Sequence, residues 1–327
     1  MKKLYSLVAI GAICSTVAVD LNNTNTSSVS LNNASSTDKV FAQTVVTAGQ
    51  GGAEGVKNMA AGQAEKKASD AIKDFLSNGS GVTEVSIQGT TGNTPTYNIL
   101  LVRPLTESAD KVDNTFVQAS LLYQDDRTTT NIGLGYRKLV ADKKVLLGTN
   151  IFYDQEFPYN HQRMSIGGEI RTTVGEINAN YYQGISGWKT TDDGLDEKAL
   201  GGYDIQLAVA VPYIPSAHLK AKTFKWKGVE GGTDLDGKTY SLGGAVYPGY
   251  NLETGYTSYS NSIEDQKFVK VTYNYNFGTS KSVNKPIIID TPYELTSMED
   301  RRFEKVQREN KIIKQVGKQI GITVTGV

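Results

Sequence analysis

Apolar and polar residues alternate along most of the chain between residues 82 and 277. The clearest run is VKVTYNYNF, in which Val269, Val271, Tyr273, Tyr275 and Phe277 share one face of an extended strand and polar residues share the other. Alternation with a period of two is typical of a strand that has lipid on one face and water on the other. The pattern predicts strands at 82–89, 96–104, 113–124, 128–139, 143–154, 162–173, 175–186, 201–211, 217–226, 239–247, 250–259 and 267–277.

A soluble β-sandwich also alternates, but two features favour a membrane barrel. The predicted strands run close to ten residues, whereas strands of soluble sheets average about five or six. Full charges mixed with glycines stand on the polar faces, as expected inside a wet lumen. The sequence predicts an all-β fold, a twelve-stranded antiparallel transmembrane β-barrel, because closure leaves no unpaired strand edge for lipid to solvate. The predicted pore-lining residues are Arg137, Glu169, Arg171, Asp204 and Lys270.

The connections between the predicted strands differ in length. Polar segments at 187–200 and 227–238 predict long surface loops, whereas 174–175 and 248–249 predict short periplasmic turns. Aromatic residues near strand ends predict girdles at the membrane interfaces. The candidates are Tyr123, Tyr153, Tyr159, Trp188, Tyr213, Trp226, Tyr247 and Tyr259, and some of them are expected to be loop or lumen residues instead.

Composition agrees with a thin polar-lined wall and gives no case for a nucleic-acid or polyanion partner. The 34 basic residues balance the 34 acidic residues, so charge gives no case for a nucleic-acid partner. Only 39% of the residues are hydrophobic, yet the chain has 18 Tyr and 33 Gly. This balance suits a wall one residue thick, in which half of the side chains of each strand are polar.

The N-terminal residues predict export from a Gram-negative cytoplasm. Two lysines precede the apolar run 4–19, which predicts a Sec-type signal peptide at 1–18 cleaved after Ala18, with Ala42 as a more distant alternative. A lipoprotein signal at Cys14 is disfavoured because Ile13 precedes it. Residues 19–52 are predicted to be a disordered polar segment, and 53–81 a periplasmic helix.

Candidate catalytic and metal-binding residues are sparse. His161 and His218 lie near strand edges, and neither has Ser and Asp or Asn partners at a recognisable spacing. The acid pairs Asp192–Asp193 and Asp234/Asp236 fit solvated loops better than a calcium site. The sequence therefore predicts a protein that is not an enzyme and needs no cofactor or metal.

Several ordered motifs, over about 53–314, resemble the inverse autotransporters, the intimin/invasin adhesins of type V secretion. NIGLGYRKL at 131–139 resembles the family's Asn-x-Gly-x-Gly-x-Arg strand, and NIFYDQEF at 150–157 its following strand with a turn at Asp154. IGGEIR at 166–171, GISGW at 184–188 and DEKALGGYDIQLAVAVPYIP at 196–215 are similar to later segments. ELTSMEDRRFEKVQRENKIIK at 294–314 resembles the family's linker, through Arg302, Phe303, Val306, Arg308 and Asn310.

The resemblance implies an outer-membrane translocator and anchor. Its N-terminus would lie in the periplasm, and its C-terminal linker, 278–327, would thread the pore to the cell surface. The barrel-assembly machinery would read the final strand, and outer-membrane lipid would surround the barrel. Family adhesins continue into immunoglobulin-like domains, whereas here only 317–327 follow the linker match. The passenger is therefore absent from this sequence, and whether it is missing or was never present stays open.

Two other functions stay open. One is a small porin-like channel, and the other is a barrel whose surface loops bind a receptor on a host or neighbouring cell. The receptor, the oligomeric state and whether the pore is plugged are left open by the sequence.

Overall fold

The computed structural model describes residues 81–260, 263–277 and 288–317. The predicted signal peptide, the polar segment and the helix lie outside the described residues, except for Gly81, which begins a strand. The chain divides into two units, Met1–Ser80 and Gly81–Val327, and all described residues belong to the second. Among them, no helix is long and apolar enough to cross a membrane.

Twelve antiparallel strands form a closed barrel, which confirms the predicted fold. Each strand pairs with its neighbours in the chain, and the last strand pairs with the first from Gly81 opposite Phe277 to Thr90 opposite Phe268. The barrel strands are β1 Gly81–Thr90, β2 Thr96–Glu107, β3 Asp113–Gln124, β4 Arg127–Val140, β5 Val145–Phe157, β6 His161–Arg171, β7 Gly175–Gly184, β10 Gly201–Val211, β11 Ile214–Lys227, β12 Leu235–Tyr247, β13 Tyr250–Tyr259 and β14 Gln266–Phe277. Between β7 and β10 lie two short strands, β8 Lys189–Thr190 and β9 Asp196–Ala199.

The two faces of the wall follow the alternation in the sequence. In β14, Val269 and Val271 are 52% and 46% exposed on the outside, whereas Thr272 is 8% exposed. In β10, Tyr203, Ile205, Leu207 and Val209 face outward while Asp204 is buried in the lumen. The β-branched and aromatic side chains that favour strands thus also supply the surface that lipid requires.

The aromatic residues predicted for the interfacial girdle divide between the outer surface and the lumen. Tyr213 and Tyr247 are exposed beside short turns, as a girdle requires. Trp226 and Tyr259 instead lie inside the barrel, 2% and 7% exposed, where they pack in a cluster with Ile313. Their positions in the alternation place them on the polar face, so nearness to a strand end was the weaker signal.

The barrel has two unlike ends. At one end, called the turn end, β6–β7 and β12–β13 are joined by 172–174 and 248–249. Gly249 adopts a φ of 81°, which favours glycine, in the second of these turns. At the other end, called the loop end, the connections 185–200 and 228–234 are the longest in the barrel.

Residues 288–317, called the linker below, run through the barrel from the turn end to the loop end. At the turn end, the Ile289 amide donates to the Tyr213 carbonyl over 2.9 Å, and the Met298 amide donates to Lys143 over 2.8 Å. A single 3-10 turn, Glu299–Arg301, follows. At the loop end the linker forms strand β15, Lys314–Val316, which pairs with β9 in a three-stranded sheet.

Candidate functional site: the linker in the lumen

Arginines of the wall bind the main chain of the linker. Arg137 Nη1 donates to the carbonyls of Arg302 and Glu304 over 2.5 and 2.6 Å. Arg163 donates to the carbonyls of Glu309 and Lys311 over 2.7 and 2.9 Å. All four bonds use a charged donor and a neutral main-chain acceptor, a combination stronger than a bond between two neutral groups.

Other wall side chains continue this recognition along the linker. Arg171 donates to the Lys305 carbonyl, and Asn180 donates to the Gln307 carbonyl, both over 2.9 Å. Asn131 donates to the Asn310 carbonyl over 2.9 Å. Between residues 302 and 311, side chains of the wall therefore bind the carbonyls of Arg302, Glu304, Lys305, Gln307, Glu309, Asn310 and Lys311.

Side chains of the wall also satisfy two linker amides between residues 302 and 311. The Val306 amide donates to Gln118 Oε1 over 2.7 Å, and the Glu309 amide donates to the Tyr182 hydroxyl over 2.7 Å. An extended chain in a lumen has no strand partner of its own, so its buried backbone groups need such side-chain partners. The wall thus replaces the hydrogen bonds that a neighbouring strand would supply.

Carboxylates of the wall balance the buried guanidinium groups. Glu169 lies 2.5 Å from Arg137 and 2.6 Å from Arg171. Asp154 lies 2.8 Å from Arg163 and 2.7 Å from the linker's Arg308. Because a buried charge without a partner is costly, each carboxylate fixes the position of two arginines.

Glycines on the inner wall make room for aromatic rings under two of these arginines. A side chain at Gly135 would overlap the Phe116 ring, on which the Arg137 guanidinium stacks at 4.3 Å. A side chain at Gly133 would overlap Phe152, on which Arg308 stacks at 4.2 Å. The Gly-x-Gly pair of β4 therefore seats the rings that orient the arginines.

The residues predicted to line the pore differ in what they contact. Arg137, Glu169 and Arg171 lie together against the linker, as described above. Asp204 is buried and accepts from Tyr182 over 2.6 Å and Asn180 over 2.8 Å, so it orients two side chains that bind the linker. Lys270 lies across the lumen beside a cavity and forms no hydrogen bond with the described linker.

The five predicted linker residues all lie inside the barrel. Val306 is 3% exposed in an apolar cluster with Phe116 and Phe152, against which Phe303 packs. Arg302 pairs with Glu107 near the turn end, and Asn310 Oδ1 accepts from Arg308 over 2.9 Å.

Sequence reasoning missed Asp154, Arg163 and Tyr182. Asp154 was predicted at a turn, but β5 continues to Phe157 and places its carboxylate, fully buried, in the lumen. Arg163 lies on the same face of β6 as Glu169 and Arg171, so the alternation in the sequence already placed it in the lumen. Tyr182 shares the polar face of β7 with Asn178 and Asn180, so the alternation placed it in the lumen, but only the fold shows that its hydroxyl binds the linker.

A cluster at the loop end holds the exit of the linker. Lys314 Nζ lies 2.6 and 2.7 Å from the two oxygens of Glu156, and Arg127 lies 2.7 and 2.9 Å from the two oxygens of Glu197. His161 Nε2 lies 3.1 Å from Glu197. Burial raises the pKa of Glu197, but hydrogen bonds from His161 and Arg127 outweigh it and lower that pKa to about 2.

The same cluster could hold a metal ion by its ligand types. Among the described residues, Glu156, His161 and Glu197 bring one ligand atom each within 4.8 Å of one another. Lys314 and Arg127 already neutralise the two carboxylates. The cluster therefore acts as a set of ion pairs that holds β15 in place.

The barrel is closed, and a segment of its own chain occupies its lumen. These two features define the class of protein, which is an outer-membrane barrel with an internal linker. The chain belongs to the family described as "Inverse autotransporter, beta-domain", whose model matches residues 27–310. This family consists of adhesin and translocator barrels and is not a class of enzymes.

Relatives agree with this assignment. Intimin of Escherichia coli O127:H6 is 27% identical over 271 residues, covering 80% of this chain and 28% of intimin. Intimin of Citrobacter freundii is 29% identical over 211 residues, covering 62% and 22%. The chain thus spans less than a third of the length of these intimins.

One solved structure shows the same fold. It was described under "Unveiling the Mechanism Behind the in-meso Crystallization of Membrane Proteins" and superimposes with a TM-score of 0.63 at 24% identity. The match covers 72% of this chain and 99% of that chain.

Proposed function

We propose that the protein is an outer-membrane translocator and anchor that carries its C-terminal segment through the barrel and displays it at the cell surface, with bacterial adhesion as the family role. The observation that carries this proposal is the binding of the linker through its main chain. Carbonyls from Arg302 to Lys311 accept hydrogen bonds from fixed side chains of the wall.

Main-chain recognition suits a pore that must pass polypeptide. Every extended chain presents carbonyls and amides at regular spacing, whatever its side chains are. Arg137, Arg163 and Arg171 could therefore bind successive segments as they pass. The side-chain contacts of Arg308 and Lys314 would then stop the chain in one register when transport ends.

The direction of transport follows from the two ends of the barrel. The short turns would face the periplasm and the long loops the cell surface, as in other outer-membrane barrels. The signal peptide at 1–18 would direct export, and the barrel-assembly machinery would read β14 with Val269, Val271, Tyr273, Tyr275 and Phe277. The linker would then emerge at the surface beside β9.

The linker also bears on the two alternative functions. A porin-like channel needs an open bore, whereas the linker occupies the lumen against β3 to β7. Receptor binding by loops 185–200 and 228–234 must share those loops with the linker, because Gln315 donates to the Val229 carbonyl over 3.1 Å.

An epitope placed after Val327 tests the proposal on intact cells. We expect antibody to label it without permeabilisation and external protease to remove it. Control epitopes between Asp192 and Asp193 and between Pro248 and Gly249 should be labelled from outside and only after permeabilisation, respectively. A C-terminal epitope that is reached only after permeabilisation would overturn the proposal.

A further inference from the structure

The linker leaves part of the lumen unfilled. A cavity of about 220 Å³ lies between linker residues 305–311 and the inner faces of β1 to β3 and β10 to β14. It reaches Thr90, Thr96 and Gln266, which are end residues of β1, β2 and β14 at the loop end. A solute would therefore meet it from the side of the loops.

The lining of the cavity is made of hydrogen-bonding groups. Hydroxyl and amide side chains dominate its walls, including Ser86, Gln88, Asn98, Gln206 and Ser241. A polar cavity of this size holds several ordered waters. A ligand that replaces them needs hydroxyl groups to restore their hydrogen bonds.

Of the residues that the structure describes, one lysine at the base of the cavity has no carboxylate within ion-pair distance. Lys220 lies 2.9 Å from Glu253, and Lys305 lies 2.5 Å from Glu84. Lys270 stands between these pairs, opposite Gln88 on β1 and Glu253 on β13. Among the described residues, Lys270 forms no ion pair and no hydrogen bond, so three ammonium groups face two carboxylates.

We infer that this cavity binds a small hydroxylated carboxylate of the sugar-acid type, with the carboxylate on Lys270 and the hydroxyls on the surrounding Ser, Thr, Asn and Gln side chains. The single unpaired ammonium selects one negative charge. The polar walls select hydroxyl groups, and the volume accommodates a ligand of about one monosaccharide. Binding at this cavity is independent of the direction in which the linker was transported.

Saturation-transfer NMR on the purified full chain in detergent tests the inference with D-glucuronate as the probe. Glucose and acetate are the matched ligands that lack the charge and the hydroxyls, respectively. We expect glucuronate to bind roughly tenfold or more tightly than either, because glucose lacks the charged partner for Lys270 and acetate lacks the hydroxyls that bind the walls. Equal binding of glucose or acetate, or no binding of glucuronate, would overturn the inference.

Variants of Lys270 separate a specific site from general attraction. Lys270→Gln should lose binding roughly tenfold or more, and Lys270→Arg should retain it because the charge is kept. Lys267→Gln removes a lysine from the exposed face of the same strand and should bind like the unmodified chain. Each variant must first show the heat-modifiable gel band of a folded barrel. Unchanged binding in Lys270→Gln, or its loss in Lys267→Gln, would contradict the assignment.

Discussion

Replacing Asp154 by Asn tests whether buried charge holds the linker in place. The Asp154 carboxylate contacts Arg163 at 2.8 Å and Arg308 at 2.7 and 3.0 Å, and it also accepts from Asn131 over 2.8 Å. The side chain is fully buried. Asn keeps the shape but removes the charge, which leaves two buried guanidinium groups without their counterion.

The size of the effect follows from the cost of breaking a buried ion pair. Removal of one partner from such a pair costs about 3–5 kcal/mol. Arg308 belongs to the linker and can leave the lumen, whereas Arg163 is fixed in β6. The cost should therefore raise the equilibrium constant for release of the linker from the wall, by a factor of roughly one hundred to several thousand.

Hydrogen exchange of the linker amides measures this hold directly. The amides of Val306 and Glu309 donate to the wall and can exchange only when the linker opens. We expect their protection to fall by that factor in Asp154→Asn, while amides of β12 and β13 keep theirs. Glu253→Gln is the matched control, because Glu253 pairs with Lys220 at 2.9 Å on the other side of the lumen.

A double-mutant cycle with Arg308→Gln decides whether the two residues act as a pair. The double variant should lose less than the sum of the single losses, by about 0.5–3 kcal/mol. Protection within threefold of the unmodified chain in Asp154→Asn, or strict additivity in the cycle, would refute the reasoning.

Three further predictions concern the wall and the exit of the linker. Lys314→Met should weaken the docking of β15 by about 2 kcal/mol, because it leaves the buried Glu156 carboxylate without one partner. Adding Glu156→Gln should recover part of this loss, as measured by hydrogen exchange of the amides of 314–316. Gly135→Val should destabilise the barrel by about 1–3 kcal/mol through overlap with an aromatic ring. A Cβ at Gly89 meets no atom within 4 Å, so Gly89→Val should leave the gel-shift temperature unchanged. The Glu197 carboxylate has a folded pKa of about 2 against an ordinary 4.5, so its contribution is complete above about pH 4.5 and is lost as the pH falls toward 2. Acid titration of tryptophan fluorescence should show a transition in this window that Glu197→Gln lacks.

Much of the fold was predictable because a barrel wall is a local pattern. Val269, Val271, Tyr273 and Tyr275 alternate with polar residues, and a strand turns successive side chains to opposite faces whatever surrounds it. Strand number and the separation of outer from inner faces follow from that geometry. The end of β5 was misplaced because Asp154 is a common turn residue, and its burial depends on partners distant in the chain.

The sequence by itself determined a two-faced wall, since alternation is set by neighbouring residues, and motif spacing indicated the family. Only the tertiary structure decided which charges meet. Arg308 is 154 positions from Asp154, and Lys314 is 158 positions from Glu156. Closure of the barrel and the path of the linker bring such pairs together. Contacts across a lumen join residues far apart in the chain, so they produce no repeating pattern in the sequence.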